Sequence, residues 1–144
     1  MTDAYLDASA LVPLAVRETS SGAVQDFTRH YEGRLIVSEF GAAEAASGVS
    51  RLVRMGKLER GAASAALEDL DAWRFIATEL VEITSGDLRL AHLLVRRFET
   101  KLRAADAVHV AVAKRLGAKL VSLDAGMRAG AGLAGVTAVD PIAA

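Results

Sequence analysis

The chain has 144 residues, a length that suits one domain with a sizeable core over residues 1–144. It is 52% hydrophobic and 24% charged with a net charge of −1, which excludes a disordered chain, while 5% aromatics, two prolines and abundant alanine lean toward helix. There is no cysteine, which excludes disulfides and thiolate metal sites, and His30, His92 and His109 lie too far apart in sequence for a zinc motif.

The first predicted element is a short strand, "AYL" at 4–6, followed directly by Asp7. The apolar run at 8–16 comes after Asp3 and Asp7, the wrong charge for a signal peptide, and no stretch reaches the roughly 18 apolar residues of a membrane span. A cytoplasmic protein is therefore expected. Helical spacing runs from 9 to about 17, with Ser9 as N-cap and Pro13 near the first turn. "RLIVS" at 34–38 reads as a second strand, followed by a helix over roughly 40–55 that ends at Gly56 and carries Glu44. Another helix spans about 58–74, and "LVEI" at 80–83 reads as a third strand. "TSGD" at 84–87 resembles a capping box opening a helix through about Glu99.

Asp106 lies in the opening turn of the next helix, among alanines and valines that belong in a core. That helix ends at Gly117, after Lys114 and Arg115, and leads into "KLVSL" at 119–123, a strand followed directly by Asp124. "GAGLAG" at 130–135 fits a dinucleotide fingerprint letter for letter, but only nine residues follow it, too few for the unit it would open. It is expected to be a glycine-rich loop or a frayed helix. "VTAV" at 136–139 is the last strand, before Asp140 and Pro141.

Strands alternating with helices predict an α/β fold, a short and mainly parallel sheet flanked by helices. Ligands of such sheets bind beyond the carboxyl ends of the strands. Asp7, Glu44, Asp106 and Asp124 come from separated parts of the chain and could converge there. Two carboxylates about 6 Å apart repel by roughly 3 kcal/mol at an effective dielectric near 20, so such a cluster should take up protons or a cation. Oxygen ligands without cysteine or histidine suit Mg²⁺ or Mn²⁺, ions that polarise phosphoryl oxygens and activate water. Taken singly, each acid has a plainer reading: Asp7 and Asp124 as helix caps, Asp106 as a first-turn acid, Glu44 as a solvated face residue. Ser9 and Ser122 read as capping and strand-edge hydroxyls, and His109, one turn after Asp106, as a satisfied core imidazole. Residues 1–88 hold 14 acids and 8 Lys or Arg, whereas 89–128 hold 9 Lys or Arg and 3 acids. The basic half leans only weakly toward a polyanionic partner.

The stretches "AYLDASALVPLAVRE", "LIVSEFGAAEAASGVSRLVRMGKL" and "LRAADAVHVAVAKRLGAKLVSLD" together resemble a PIN-domain ribonuclease, in detail the VapC-type toxin of a toxin–antitoxin pair. The likeness runs from about Ala4 to Val139. It maps the family's four acids onto Asp7, Glu44, Asp106 and Asp124, as catalytic residues and metal ligands. Ser9 takes the place of the small hydroxyl residue after the first acid, Arg51 that of the arginine two turns after the glutamate, and Ser122 a supporting place. Glu39 falls too soon after its strand to replace Glu44. The resemblance implies a Mg²⁺- or Mn²⁺-dependent endoribonuclease that attacks an RNA phosphodiester with an activated water, acts as a homodimer and is inhibited by a cognate antitoxin protein. Many relatives carry another acid two or three residues beyond the fourth; here Gly126 and Met127 stand there. A second metal is therefore in question.

Two other readings remain: a catalytically silent scaffold of the same fold, and a receiver-like phosphotransfer domain. The latter would need a lysine after a late strand, and a strand-one phosphatase nucleophile would need a second aspartate two residues after Asp7. Lys119 precedes its strand, and Ser9 stands at the second place. The mean hydropathy of +0.28 is compatible with a buried dimer face without locating one.

Overall fold

A computed structural model describes residues 2–143. Five strands, β1 (Ala4–Leu6), β2 (Leu35–Ser38), β3 (Glu79–Val81), β4 (Lys119–Val121) and β5 (Ala138–Val139), form one sheet in the order β3-β2-β1-β4-β5. Every pairing is parallel, with Leu6 opposite Val121 and Tyr5 opposite Ile36. Strands β1 and β2 are buried along their length, and β4 beyond Lys119, because helices cover both sheet faces, which is what the short unalternating runs imply. Seven helices do the covering: α1 (Ala8–Ala15), α2 (Ser21–His30), α3 (Glu39–Arg54), α4 (Arg60–Ala77), α5 (Ser85–Val95), α6 (Ala104–Leu116) and α7 (Ala125–Leu133).

Alternation along the strands divides the core. Tyr5, Ile36 and Leu120 pack with residues of α5, α6 and α7, whereas Ala4, Leu6, Leu35, Val37 and Val121 pack toward α1, Ala45 of α3 and Leu70 of α4. Helix α6 is buried continuously from Ala107 to Ala113, the signature of a helix wrapped on all sides rather than half-exposed. Each fully buried valine there contributes about 1.5 kcal/mol or more. Arg115 near its end is forked onto Asp87 of α5 at 2.8 and 2.9 Å, and Asp87 also closes the expected capping box with Thr84.

Several expected boundaries shift. Ser9 is not the first N-cap: the helix starts at Ala8 and Asp7 caps it, because the carboxylate leaving β1 reaches the Ala10 N–H at 3.3 Å. Pro13 accordingly stands sixth in α1 rather than in the first turn, and its missing N–H deprives the Ser9 carbonyl of a helical bond. Helix α2 is an addition, since "SSG" at 20–22 reads as a turn and its apolar side is little more than Val24 and Phe27, with Tyr31 just beyond its end. Helix α5 stops at Val95, and a separate 3-10 turn covers Phe98–Thr100.

The glycines at 130 and 132 are not a loop but the last turn of α7. A Cβ on Gly130 would stand 2.6 Å from Leu102 Cδ2 and 2.8 Å from the Thr100 carbonyl oxygen, so bare backbone is what lets α7 lie on the segment before α6. One Cβ on Gly132 would meet nothing within 4 Å. Gly130→Ala should therefore destabilise by about 1–3 kcal/mol, as overpacking does. Gly132→Ala should instead stabilise by up to about 1 kcal/mol through helix propensity. Urea unfolding of both variants checks the pair, and equal effects would contradict the close approach of α7.

Candidate active site

Strand β1 has β2 on one side and β4 on the other, so the chain order reverses across β1 and β4. That is the switch point at whose carboxyl edge open parallel sheets leave a crevice. Asp7 leaves β1 there, Asp124 leaves β4 beside it, and Ser38 ends β2. Helix α6 runs back toward the start of β4, which places its first turn, with Asp106, at the same edge.

Asp7 is 2% exposed. Its Oδ1 accepts from the Ser9 hydroxyl at 2.6 Å and its Oδ2 from the Ser122 hydroxyl at 2.7 Å. Ser9 Oγ in turn accepts from the Leu123 N–H at 2.8 Å, and Ser122 Oγ from the Asp124 N–H at 3.1 Å. The two serines thus cap no helix; they clamp Asp7 to the segment leaving β4. Burial nevertheless pushes the Asp7 carboxyl above its ordinary range, because three donors only partly replace water. Asp106 is pushed up as well, first by burial and then by the charges of Asp124 and Glu44. Asp124 is exposed and caps α7, accepting from the Met127 N–H at 3.1 Å.

Glu44 is 31% exposed on α3 and its Oε1 is hydrogen-bonded to Nε2 of His109, itself 1% exposed. Glu39 is turned away, 66% exposed and 3.6 Å from Arg74. Arg51 is exposed two turns beyond Glu44, with no side-chain hydrogen bond or ion pair among the described residues. Gly126 and Met127 do not extend the acidic group: Met127 packs in the core, and a Cβ on Gly126 would come within 3.2 Å of Asp124 Oδ1. Lys119 opens β4 at the opposite edge of the sheet from Asp7, which removes the receiver-like reading.

The structure thus brings Asp106 into electrostatic contact with Asp124 and Glu44, and Asp7 beside the turn that carries Asp124. The donors are oxygens, as a hard divalent cation requires, and the repulsion that Asp124 and Glu44 exert on Asp106 favours positive charge there. Among the described residues, no three Asp, Glu or His side chains are already drawn together to hold an ion. Sequence reasoning missed the contacts of Tyr5, Ser38 and His109; the available signal was a histidine three residues after Asp106, on the same helix face.

A raised carboxyl means that the native state keeps its proton more readily than the unfolded chain. Stability then falls as pH rises from the ordinary carboxylate value through the raised one. In chelator at pH 7, Asp106→Asn should therefore melt higher than the wild type, by about 2 °C, with the gap closing below pH 4. Calorimetric melting curves across pH check this, and a lower melting temperature for Asp106→Asn at pH 7 would contradict it.

A family model described as "PIN domain" matches residues 4–133. Ribonuclease VapC46 of Mycobacterium tuberculosis is 34% identical over 98% of this chain and 99% of its own. The fold is similar to that of VapC20 of Mycobacterium tuberculosis, described as a sarcin-ricin loop cleaving toxin, with TM-score 0.71, 20% identity and coverage of 96% of this chain and 99% of that one. A toxin–antitoxin complex from Klebsiella pneumoniae contains a chain with TM-score 0.62, 19% identity and coverage of 96% and 97%. With a family model spanning nearly all of its sheet and a full-length ribonuclease relative, the chain belongs to the PIN-domain family as a member of VapC type.

Proposed function

We propose that residues 1–144 form one nuclease domain, a metal-dependent endoribonuclease and the toxin of a toxin–antitoxin pair. The observation that carries this reading is that Asp7, Asp106, Asp124 and Glu44 lie at the carboxyl edge of the switch point, where burial raises Asp7, and burial with the charges of Asp124 and Glu44 raises Asp106. Mg²⁺, with Mn²⁺ able to replace it, is the ion of this site; it supplies Lewis acidity to a phosphoryl oxygen and lowers the pKa of a bound water.

The side chains divide the work. Asp7, fixed by Ser9 and Ser122, offers a rigid anionic anchor at the end of β1. Asp106 and Asp124 bring charge from α6 and from the turn after β4, and Glu44 from α3. Arg51, exposed two turns beyond Glu44, would meet a phosphate of the RNA. The enzyme acts as a homodimer and is silenced by a small cognate antitoxin; VapC20 and the Klebsiella complex support the toxin part of this reading. Among the described residues no helix is long and apolar enough to cross a membrane.

A second reading, a catalytically silent scaffold, draws on the acids' not already forming an ion cage. Incubating total bacterial RNA with the purified protein in Mg²⁺, Mn²⁺ or chelator separates the two. The nuclease should cut at discrete positions only with metal. Asp106→Asn should fall below about one hundredth of that rate, the scale on which losing transition-state charge stabilisation is felt. Folded protein that cuts in neither metal would leave the scaffold.

A further inference from the structure

Period-two alternation turns Tyr5 toward the α6 side of the sheet, where it is completely buried beside Ser38 at the end of β2. Tyr5 Oη lies 2.8 Å from Ser38 Oγ and 2.6 Å from Nδ1 of His109. The other ring nitrogen, Nε2, meets Oε1 of Glu44. Tyr5 and Phe40 hold the imidazole between them, with ring centroids 5.6 and 5.3 Å away. A Cβ on Gly41 would stand 3.3 Å from Ser38 Oγ and 3.6 Å from His109 Cε1, so the glycine lets the first turn of α3 lie against this chain of groups.

Counting donors gives the chain a direction. The Gly41 N–H donates to Ser38 Oγ at 2.9 Å. Among the described residues, the only acceptor recorded for the Ser38 hydroxyl proton is Tyr5 Oη, so Ser38 donates to Tyr5. Tyr5 then donates to Nδ1, and a neutral imidazole carries its proton on Nε2, directed at the Glu44 carboxylate. Reversing the chain would leave the buried Ser38 proton without an acceptor among the described residues, which a buried hydroxyl does not tolerate cheaply.

From this we infer that His109 is a positioning residue: its Nε2–H fixes Oε1 of Glu44 and leaves Oε2, unbonded among the described residues, for a divalent cation, while Tyr5 and Ser38 fix the tautomer. The inference rests on Glu44 being a metal ligand. Asp106 and His109 share one face of α6, three residues apart. One helix thus presents its own acid and orients an acid of α3, in the way that partners of a ligating carboxylate tune a site.

The test is Mn²⁺ binding to the full chain, read from the electron paramagnetic resonance signal of the free ion. Wild type, His109→Asn, His109→Gln and Tyr5→Phe are compared. In His109→Asn the amide overlies the Nδ1 position and keeps a partner for Tyr5 but loses Glu44. In His109→Gln the amide reaches the Nε2 position and keeps an N–H for Glu44. His109→Asn should weaken Mn²⁺ binding about tenfold or more, with His109→Gln staying within about threefold of wild type. Loss of RNA cleavage in His109→Asn should be recovered by raising Mn²⁺. The ¹⁵N resonances of the imidazole should place the proton on Nε2 in the wild type and show mixed tautomers in Tyr5→Phe. Folded His109→Asn that binds Mn²⁺ like the wild type, or a proton found on Nδ1, would overturn the inference. If His109→Asn does not fold, Tyr5→Phe and the nitrogen resonances decide it. A wild type that binds no Mn²⁺ would instead bring down the metal reading of Glu44 itself, and the inference with it.

Discussion

Asp7 lies 2% exposed where the central strand ends, and a carboxylate so placed must be given hydrogen bonds, a proton or a cation. The fold supplies the first of these through Ser9, Ser122 and the Ala10 N–H. They do not suffice, since burial still raises the carboxyl. Asp106 has the same difficulty with Asp124 and Glu44 adding repulsion. A protein that keeps these groups at one edge bears a cost in the free state, which the proposed divalent cation would offset. Asp7 and the turn that carries Asp124 lie side by side because chain order reverses between β1 and β4, adjacent strands whose carboxyl ends share one crevice.

Around the acids the supporting groups are polar, buried and almost fully paired. Ser9 and Ser122 join the end of β1 to the turn after β4, and His109 joins α6 to α3. The contacts come from elements on both faces of the sheet, so the two halves of the core are connected at the site as well as through the strands. Such rigidity suits a site in which charge has to be aimed rather than merely collected. Continuous burial along α6 serves the same end: a helix held on every side keeps Asp106 and His109 in fixed relation.

Much of this was legible in the sequence, for reasons that differ by residue. The central strands stood out because a sheet covered on both faces needs short, mainly apolar runs, while the exposed edge strand β3 falls at 79–81 rather than 80–83; Asp7 and Asp124 stood out as charges directly after two of the runs. Glu44 and Asp106 were placed by helical position and by the family resemblance together. Helix α2 was hidden by its turn-like opening, and the last turn of α7 by glycines whose purpose, close approach to Leu102 and Thr100, is visible only in three dimensions. The plainer readings were correct as far as they went: Asp7 and Asp124 do cap helices, and His109 is a satisfied core imidazole. Sequence could not show that the same imidazole reaches Glu44, because the partners are separated by 104 and 65 residues and no local pattern encodes such contacts.

The central claim is that the carboxylates at the β1–β4 switch point are a divalent cation site. Growing crystals of the full chain, soaking them in Mn²⁺ and recording anomalous scattering at the manganese edge would test it most directly. The account predicts an anomalous peak bounded by Asp7, Asp106, Asp124 and Glu44, lost in crystals of Asp7→Asn. A well-ordered edge with no peak, or a peak elsewhere that Asp7→Asn leaves unchanged, would contradict it.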